Sequence, residues 1–153
     1  MDVAYLDFSK AFDLVSHKHL LLKLQKHGIN GQIGNWIKAF LENRKQRVVI
    51  RGYKSDELDV LSSVPQGSVL GPILFLIYIN DISKAVMNSQ IRLYADDTVI
   101  YCSHENYNLA YTLLNQDLNR LESWCEVNKL TVNSKKTKVM TFARNAVLPK
   151  LMQ

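Results

Sequence analysis

Leu93–Tyr94–Ala95–Asp96–Asp97–Thr98 is the stretch whose reading decides the fold. Apolar residues alternate around two adjacent carboxylates: Ile91, Leu93 and Ala95 precede them, and Val99, Ile100 and Tyr101 follow. Alternation with a period of two around turn-forming residues predicts a β-hairpin with Asp96 and Asp97 at its tip. A hairpin needs only one small polar residue there, and two neighbouring negative charges repel. Taken alone, an Asp–Asp pair reads as a solvated turn. A further carboxylate near the start of the chain shifts the reading toward a divalent cation.

That carboxylate is Asp7. Val3–Ala4–Tyr5–Leu6 is apolar at successive positions, the pattern of a strand buried on both faces, and Asp7 falls at its carboxyl end. If this strand and the hairpin are neighbours in one sheet, Asp7, Asp96 and Asp97 converge near the sheet's edge. Anions that close destabilise the fold unless they are paired or metal-bound. Histidines and cysteines do not adjoin them, so the ligand set is all oxygen, which selects Mg²⁺ or Mn²⁺ over Zn²⁺. Two such ions roughly 3.5–4 Å apart would clamp the attacking and leaving oxygens of a phosphoryl displacement.

The chain's 153 residues fit one domain, and 47% hydrophobic against 22% charged residues marks a globular rather than a disordered chain. A formal net charge of +5 favours a polyanionic partner without identifying one. Cys102 and Cys125 are too few for a disulfide framework and point to a reducing compartment. Asp2 and Asp7 fall where a leader peptide would be basic and then apolar. The longest apolar run, Ile73 to Ile79, is far short of the ~20 residues of a membrane helix. The expectation is an intracellular protein of the cytoplasm or nucleus without a membrane partner. A chain that opens almost directly on a buried strand also implies a segment before it.

The remaining elements follow from local signals. Ser16 caps a helix from His17 to His27, with Leu20, Leu21 and Leu24 on one face and Gly28 as its stop. His17 and His19 lie two apart on different faces, so these histidines read as structural rather than metal-binding. Asn30 opens a second helix in which Ile33, Trp36, Ile37, Phe40 and Leu41 form a stripe expected to be core. Arg44, Lys45, Arg47 and Arg51 surround a two-stranded excursion, and they serve either edge protection or phosphate contact. A loop holding Pro65, Gln66 and Gly67 feeds an apolar helix through Gly71–Pro72. Asn108 to Val127 is a helix with Leu114, Leu118, Leu121 and Cys125 on one stripe. Leu130–Val132 is a short strand, 133–136 a basic turn, and 137–142 a last strand. Residues 143–153 carry no pattern and remain an unassigned tail.

Four of these stretches, in order, carry a resemblance. Tyr5–Leu6–Asp7–Phe8–Ser9–Lys10–Ala11–Phe12–Asp13, Val64–Pro65–Gln66–Gly67–Ser68–Val69–Leu70–Gly71–Pro72, Tyr94–Ala95–Asp96–Asp97 and Leu130–Thr131–Val132–Asn133–Ser134–Lys135–Lys136–Thr137 resemble the successive palm motifs of reverse transcriptases. Their wording and spacing are most similar to the non-LTR, LINE-type or jockey-like retrotransposon enzymes. The resemblance runs from Tyr5 to about Phe142.

The resemblance implies an α/β (α+β) polymerase palm over residues 1–142: an antiparallel sheet with helices packed on one face, the fingers and thumb largely missing. It implies an RNA-directed DNA polymerase that joins dNTPs to a primer 3′-hydroxyl, with an RNA template and DNA primer as partners and the rest of a longer polyprotein supplying fingers and thumb. Asp7 and Asp96 would ligate two Mg²⁺ (or Mn²⁺) ions, the Phe8 carbonyl would add a ligand, and Asp97 would be the secondary carboxylate. Phe12 would be the ring that blocks a ribose 2′-hydroxyl, since a bulky apolar group rejects it by clash and by an unpaired donor. Gln66 and Gly67 would line the pocket for incoming nucleotide and template. Lys136 would protonate or neutralise pyrophosphate, or else be a solvated lysine. Asp13 matches a usual acid of the pattern and receives no chemical role, and Asp81 is expected to cap or pair within its own helix. Two alternatives stand beside this reading. One is a truncated, non-catalytic remnant that keeps the fold and at most binds nucleic acid. The other is a palm-fold nucleotidyl cyclase, against which the Pro–Gln–Gly loop and the aromatic gate argue.

Overall fold

The computed structural model describes residues 1–142, so the tail at 143–153 lies outside the described residues. Along the chain run β1 (Asp2–Leu6), α1 (His17–Lys26), α2 (Gly31–Leu41), four two-residue strands β2 to β5 (Lys45–Gln46, Val49–Ile50, Tyr53–Lys54, Leu58–Asp59) and α3 (Leu70–Ile79). A 3₁₀ turn (Asn80–Ala85), β6 (Gln90–Tyr94), β7 (Asp97–Cys102), α4 (Tyr107–Val127) and β8 (Lys138–Thr141) follow. These form two compact units. One comprises Met1–Ser9, Ile82–Trp124 and 132–142, and the other Lys10–Asp81 and Cys125–Thr131.

The first unit is built on an antiparallel sheet in the order β6-β7-β1-β8, which makes β1 and β7 the inner strands. The pleat sends Asp2, Ala4 and Leu6 to one face, opposite Cys102, Ile100 and Thr98, and all six are buried. The other face is more open: Val3 is buried, but Tyr5 is 44% exposed, so β1 is not covered on both sides. Buried Asp2 accepts a hydrogen bond from the Thr141 hydroxyl at 2.6 Å. The expected strand at Leu130–Val132 reduces to a single antiparallel bridge between Phe8 and Val132. The next residues are already committed to a turn, with the Lys136 and Thr137 N–H groups both donating to the Asn133 carbonyl.

Helix α4 buries Ala110, Leu114, Asp117, Leu121 and Cys125 along one stripe. Asp117 thus takes a place that apolar patterning would give to Leu118, which is only half-buried. The carboxylate is satisfied there by the backbone N–H groups of Met87 (3.0 Å), Asn88 (2.8 Å) and Ser89 (2.7 Å), and by Arg120 at 2.6 Å. Burial on its own raises the Asp117 carboxyl, but those backbone donors outweigh it and hold the group below the usual carboxylate range. Asp117 therefore pins the segment that leads into β6.

In the second unit α1 packs against α2 and α3. Leu20, Leu24, Ile37, Leu41, Leu74, Phe75, Tyr78 and Ile79 are its core. The Ser16 hydroxyl caps α1 by accepting the His19 N–H, as its sequence predicts. The α2 stripe is narrower than the pattern suggested. Ile37 and Leu41 are buried, whereas Ile33 is 67% and Trp36 58% exposed, and Trp36 stacks on Phe40 with ring centroids 5.7 Å apart. Only one edge of a wide apolar stripe meets a neighbouring helix. Asp81 pairs across elements rather than within its own, accepting from Lys23 of α1 at 2.6 Å, because Lys23 is already drawn to the α3 carboxyl end by the Tyr78 carbonyl. The excursion at 44–61 consists of two nested antiparallel pairs, β2 with β5 and β3 with β4, all exposed.

Candidate active site

The hairpin forms where the alternation placed it, with one shift at its tip. Tyr94 pairs with Asp97, so the two-residue loop is Ala95–Asp96, and Asp97 is the first residue of β7. Ala95 takes φ +53°, since a two-residue hairpin loop turns through the left-handed region. Leu6 pairs with Thr98, and both are buried. Asp7 lies one residue past that last pair, just beyond the end of β1, and Asp97 is the first residue of β7. Asp7 and Asp97 therefore lie at the same end of the two inner strands, with Asp96 in the adjoining turn. The location is the end of the sheet's centre, not its edge.

The basic turn is laced to Asp7. The Asn133 N–H donates to the Asp7 carbonyl at 2.7 Å, the Asp7 N–H donates to the Thr137 hydroxyl at 3.4 Å, and Lys136 Nζ lies 3.8 Å from Asp7 Oδ1. Lys136 is 72% exposed and the Asp7 side chain 34%, so this is a cation held over a reachable carboxylate. Phe8 is buried, with its bridge to Val132 fixing the backbone just after Asp7. Among the described residues no group of three or more His, Cys, Asp or Glu side chains is close enough together to hold a metal ion. The three aspartates share one end of the sheet without converging into a cluster.

The other expected site residues belong to the second unit. Phe12 stacks on Phe75, with centroids 4.3 Å apart and planes 22° from parallel, which fixes the ring's position. The turn that carries it is tied to the Pro–Gln–Gly loop, because the Val64 N–H donates to the Phe12 carbonyl and the Ser63 N–H to the Val15 carbonyl. Gly67 takes φ +80°, a conformation that favours glycine. Gly71 is required for another reason: a Cβ there would meet the Pro65 carbonyl oxygen at 2.7 Å. Gln66 Nε2 donates to Asp13 Oδ1 at 2.9 Å, which supplies the contact that sequence reasoning lacked for Asp13. Neither Asp13 nor Asp117 could be assigned from patterning, since each is defined by partners distant in sequence.

Of the basic cluster, Arg44 is structural: its guanidinium donates to the carbonyls of Leu41 and Ser63. Arg47 pairs with Glu57 at 3.5 Å. The structure holds a cavity of about 770 Å³ lined by α1 and α2, and none of the expected site residues borders it. Among the described residues no helix is long and apolar enough to cross a membrane.

Comparison with known proteins places the family and the fold. The family model described as reverse transcriptase (RNA-dependent DNA polymerase) matches residues 3–148. The RNA-directed DNA polymerase from mobile element jockey of Drosophila melanogaster is 34% identical over 147 residues, covering 92% of this chain and 16% of that protein. The probable RNA-directed DNA polymerase from transposon X-element of the same species is 33% identical over 144 residues, covering 90% and 16%. The chain thus spans 16% of the length of these relatives. Among solved structures, telomerase from Candida albicans in complex with a TWJ fragment of telomeric RNA superposes with a TM-score of 0.67 at 16% identity, covering 92% of this chain and 28% of that one. At that identity the likeness is one of fold, a polymerase palm. The chain belongs to the reverse transcriptase (RNA-dependent DNA polymerase) family, and its similarity to relatives from jockey and the X-element is to polymerases of non-LTR retrotransposons.

Proposed function

We propose that this chain is the catalytic palm of an RNA-directed DNA polymerase, adding nucleotides from dNTPs to a primer 3′-hydroxyl on an RNA template. The observation that supports it best is that Asp7, just past the end of β1, and Asp97, the first residue of β7, lie at the same end of the two inner strands, with Asp96 in the adjoining turn and Lys136 Nζ 3.8 Å from Asp7. Asp7 and Asp96 are half-buried and Asp97 is exposed, and like charges at one sheet end repel, so a cation there is favourable; Lys136 supplies one beside Asp7.

The chemistry of the donors suits a hard divalent ion, three carboxylates with the Phe8 carbonyl as a further oxygen, although their side chains would have to draw together from the spread they have here. Asp7, Asp96 and Asp97 would hold Mg²⁺ or Mn²⁺, as two ions. Bound there, such ions supply the Lewis acidity that activates a primer hydroxyl and the charge that offsets a triphosphate. The chain's own residues do the rest. Asp7 is fixed at its backbone by Asn133 and Thr137, which limits reorganisation of its carboxylate. Lys136 brings positive charge, and a proton, toward a pyrophosphate leaving group. The Phe12 ring, held by Phe75, excludes a ribose 2′-hydroxyl, and Gln66 and Gly67 contact nucleotide or template. The partners are RNA template and DNA primer, in the cytoplasm or nucleus, and the remainder of a longer polyprotein.

The test is primer extension on an RNA template with Mg²⁺ or Mn²⁺, wild type against Asp96→Asn. Loss of incorporation by about a hundredfold or more in the variant is expected, the order seen when a preorganised electrostatic partner of the transition state is removed. Equal incorporation by both proteins contradicts the reading.

A further inference from the structure

We propose that Asp13 is a positioning residue for nucleotide binding: its carboxylate fixes the side-chain amide of Gln66 so that Oε1, the acceptor, is presented to a hydrogen-bond donor of the incoming nucleotide. The inference rests on the nucleotide-pocket reading of Gln66 and deepens it. The geometry is a 2.9 Å hydrogen bond from Gln66 Nε2 to Asp13 Oδ1, joining residues 53 apart in sequence.

A primary amide is symmetric in shape and asymmetric in chemistry. One end donates twice and the other only accepts, and nothing in its own outline selects which end meets a ligand. An ionised carboxylate only accepts, so Asp13 admits the NH₂ end of Gln66 and turns the oxygen away. A neutral amide or hydroxyl in place of Asp13 would accept either end and leave the orientation unset.

Asp13 is itself held in place. Its N–H donates to the Lys10 carbonyl at 2.9 Å, closing a turn, and its carbonyl accepts from the Ser62 hydroxyl at 2.8 Å. On the other side, Gln66 follows Pro65 and precedes Gly67 at φ +80°, a loop whose carbonyl at Pro65 presses against Gly71. Two turns already tied through Val64–Phe12 and Ser62–Asp13 hydrogen bonds are thus joined again by the Gln66–Asp13 side-chain pair. Phe12, the neighbour of Asp13, is braced by the Phe75 ring, so the residue that excludes the 2′-hydroxyl and the residue that orients Gln66 ride on the same short turn. Both Asp13 and Gln66 are exposed, so the pair contributes little to folding. A contact with so little structural return, between two turns that are already tied through backbone bonds, fits the orientation of a binding group.

The test uses the full 153-residue chain, ¹⁵N-labelled, as wild type, Asp13→Asn, Asp13→Ala and Gln66→Ala, with two readouts. One is the ¹H–¹⁵N signal pair of the Gln66 side-chain amide across a pH titration from 3 to 7. The other is the dissociation constant for dTTP with Mg²⁺. In the wild type the Gln66 amide signals should follow ionisation of Asp13, and in Asp13→Asn that response should vanish. Binding of dTTP should weaken about threefold to tenfold in Asp13→Asn and Asp13→Ala, the worth of one ordinary hydrogen bond, and by a similar factor in Gln66→Ala. Thermal midpoints should stay together across the set, which separates orientation from unfolding. Weakening in Gln66→Ala with unchanged binding and unchanged amide signals in Asp13→Asn overturns the role of Asp13 and leaves the pocket standing. A wild type that binds no dTTP overturns the pocket reading and this inference together.

Discussion

Gly71 stands where a side chain has no room. A Cβ on it would lie 2.7 Å from the Pro65 carbonyl oxygen and 3.2 Å from the Ser68 hydroxyl, and the first of these is backbone and cannot swing aside. The Ser68 hydroxyl is also engaged, accepting the Gly71 N–H at 2.9 Å and donating to the Pro65 carbonyl at 2.7 Å. Gly71→Ala should therefore push the Pro–Gln–Gly loop away from the start of α3 and lower stability by about 1–3 kcal/mol, the range for overpacking a closed site. Urea titration followed by circular dichroism measures it. An unchanged midpoint would mean that the loop yields freely, which is at odds with a braced Gln66.

Elements differ in how much of their apolar surface is used. In α2, Ile37 is 6% exposed and Trp36 58%. Ile37→Ala should lower stability by about 2–4 kcal/mol through lost burial and a residual cavity, whereas Trp36→Lys should change it by about 0.5 kcal/mol or less. Thermal or urea unfolding of the two variants decides whether the helix is anchored on the side described. In α4 the anchor is polar. Asp117 has a folded-state pKa below its ordinary value, with burial opposing the shift and the N–H groups of Met87, Asn88 and Ser89 producing it. As pH falls, the unfolded chain takes up its proton first, at about pH 4. The stabilisation from Asp117 is thus complete above that pH and is lost as pH drops through the lower folded value. Asp117→Asn should remove that acid-side slope and cost about 1–3 kcal/mol at neutral pH, because backbone donors lose a charged acceptor. Stability measured by urea at several pH values from 3 to 7 tests both. A variant that keeps the slope would show that another carboxylate causes it.

For the molecule as a whole, the parts legible in the sequence were those encoded by local period and by turn chemistry. Alternation around Asp96–Asp97 located the hairpin, and Ser16 with its leucines located α1. Apolar runs were enough for β1, but not for the exposure of Tyr5, because the open face of a sheet depends on what covers it. The same limit explains Ile33 and Trp36: an apolar stripe tells which side of a helix can be buried, not how wide its neighbour is. The short strand at Leu130–Val132 was lost to the turn that follows it. Asp13, Asp81 and Asp117 were opaque for a common reason, since each is defined by partners far along the chain, and a carboxylate's local sequence carries no trace of a distant N–H or ammonium group.

The carboxylate site remains the centre of the functional claim, and Mn²⁺ titration of the ¹⁵N-labelled chain tests it most directly. Paramagnetic broadening should appear first at the amides of Asp7, Phe8, Asp96, Asp97 and Thr98, and it should be lost from that group in Asp7→Asn and in Asp96→Asn. Broadening that spreads over the surface carboxylates without preference, or that persists around residues 7 and 96 in both variants, would contradict a divalent-metal site at the end of the inner strands.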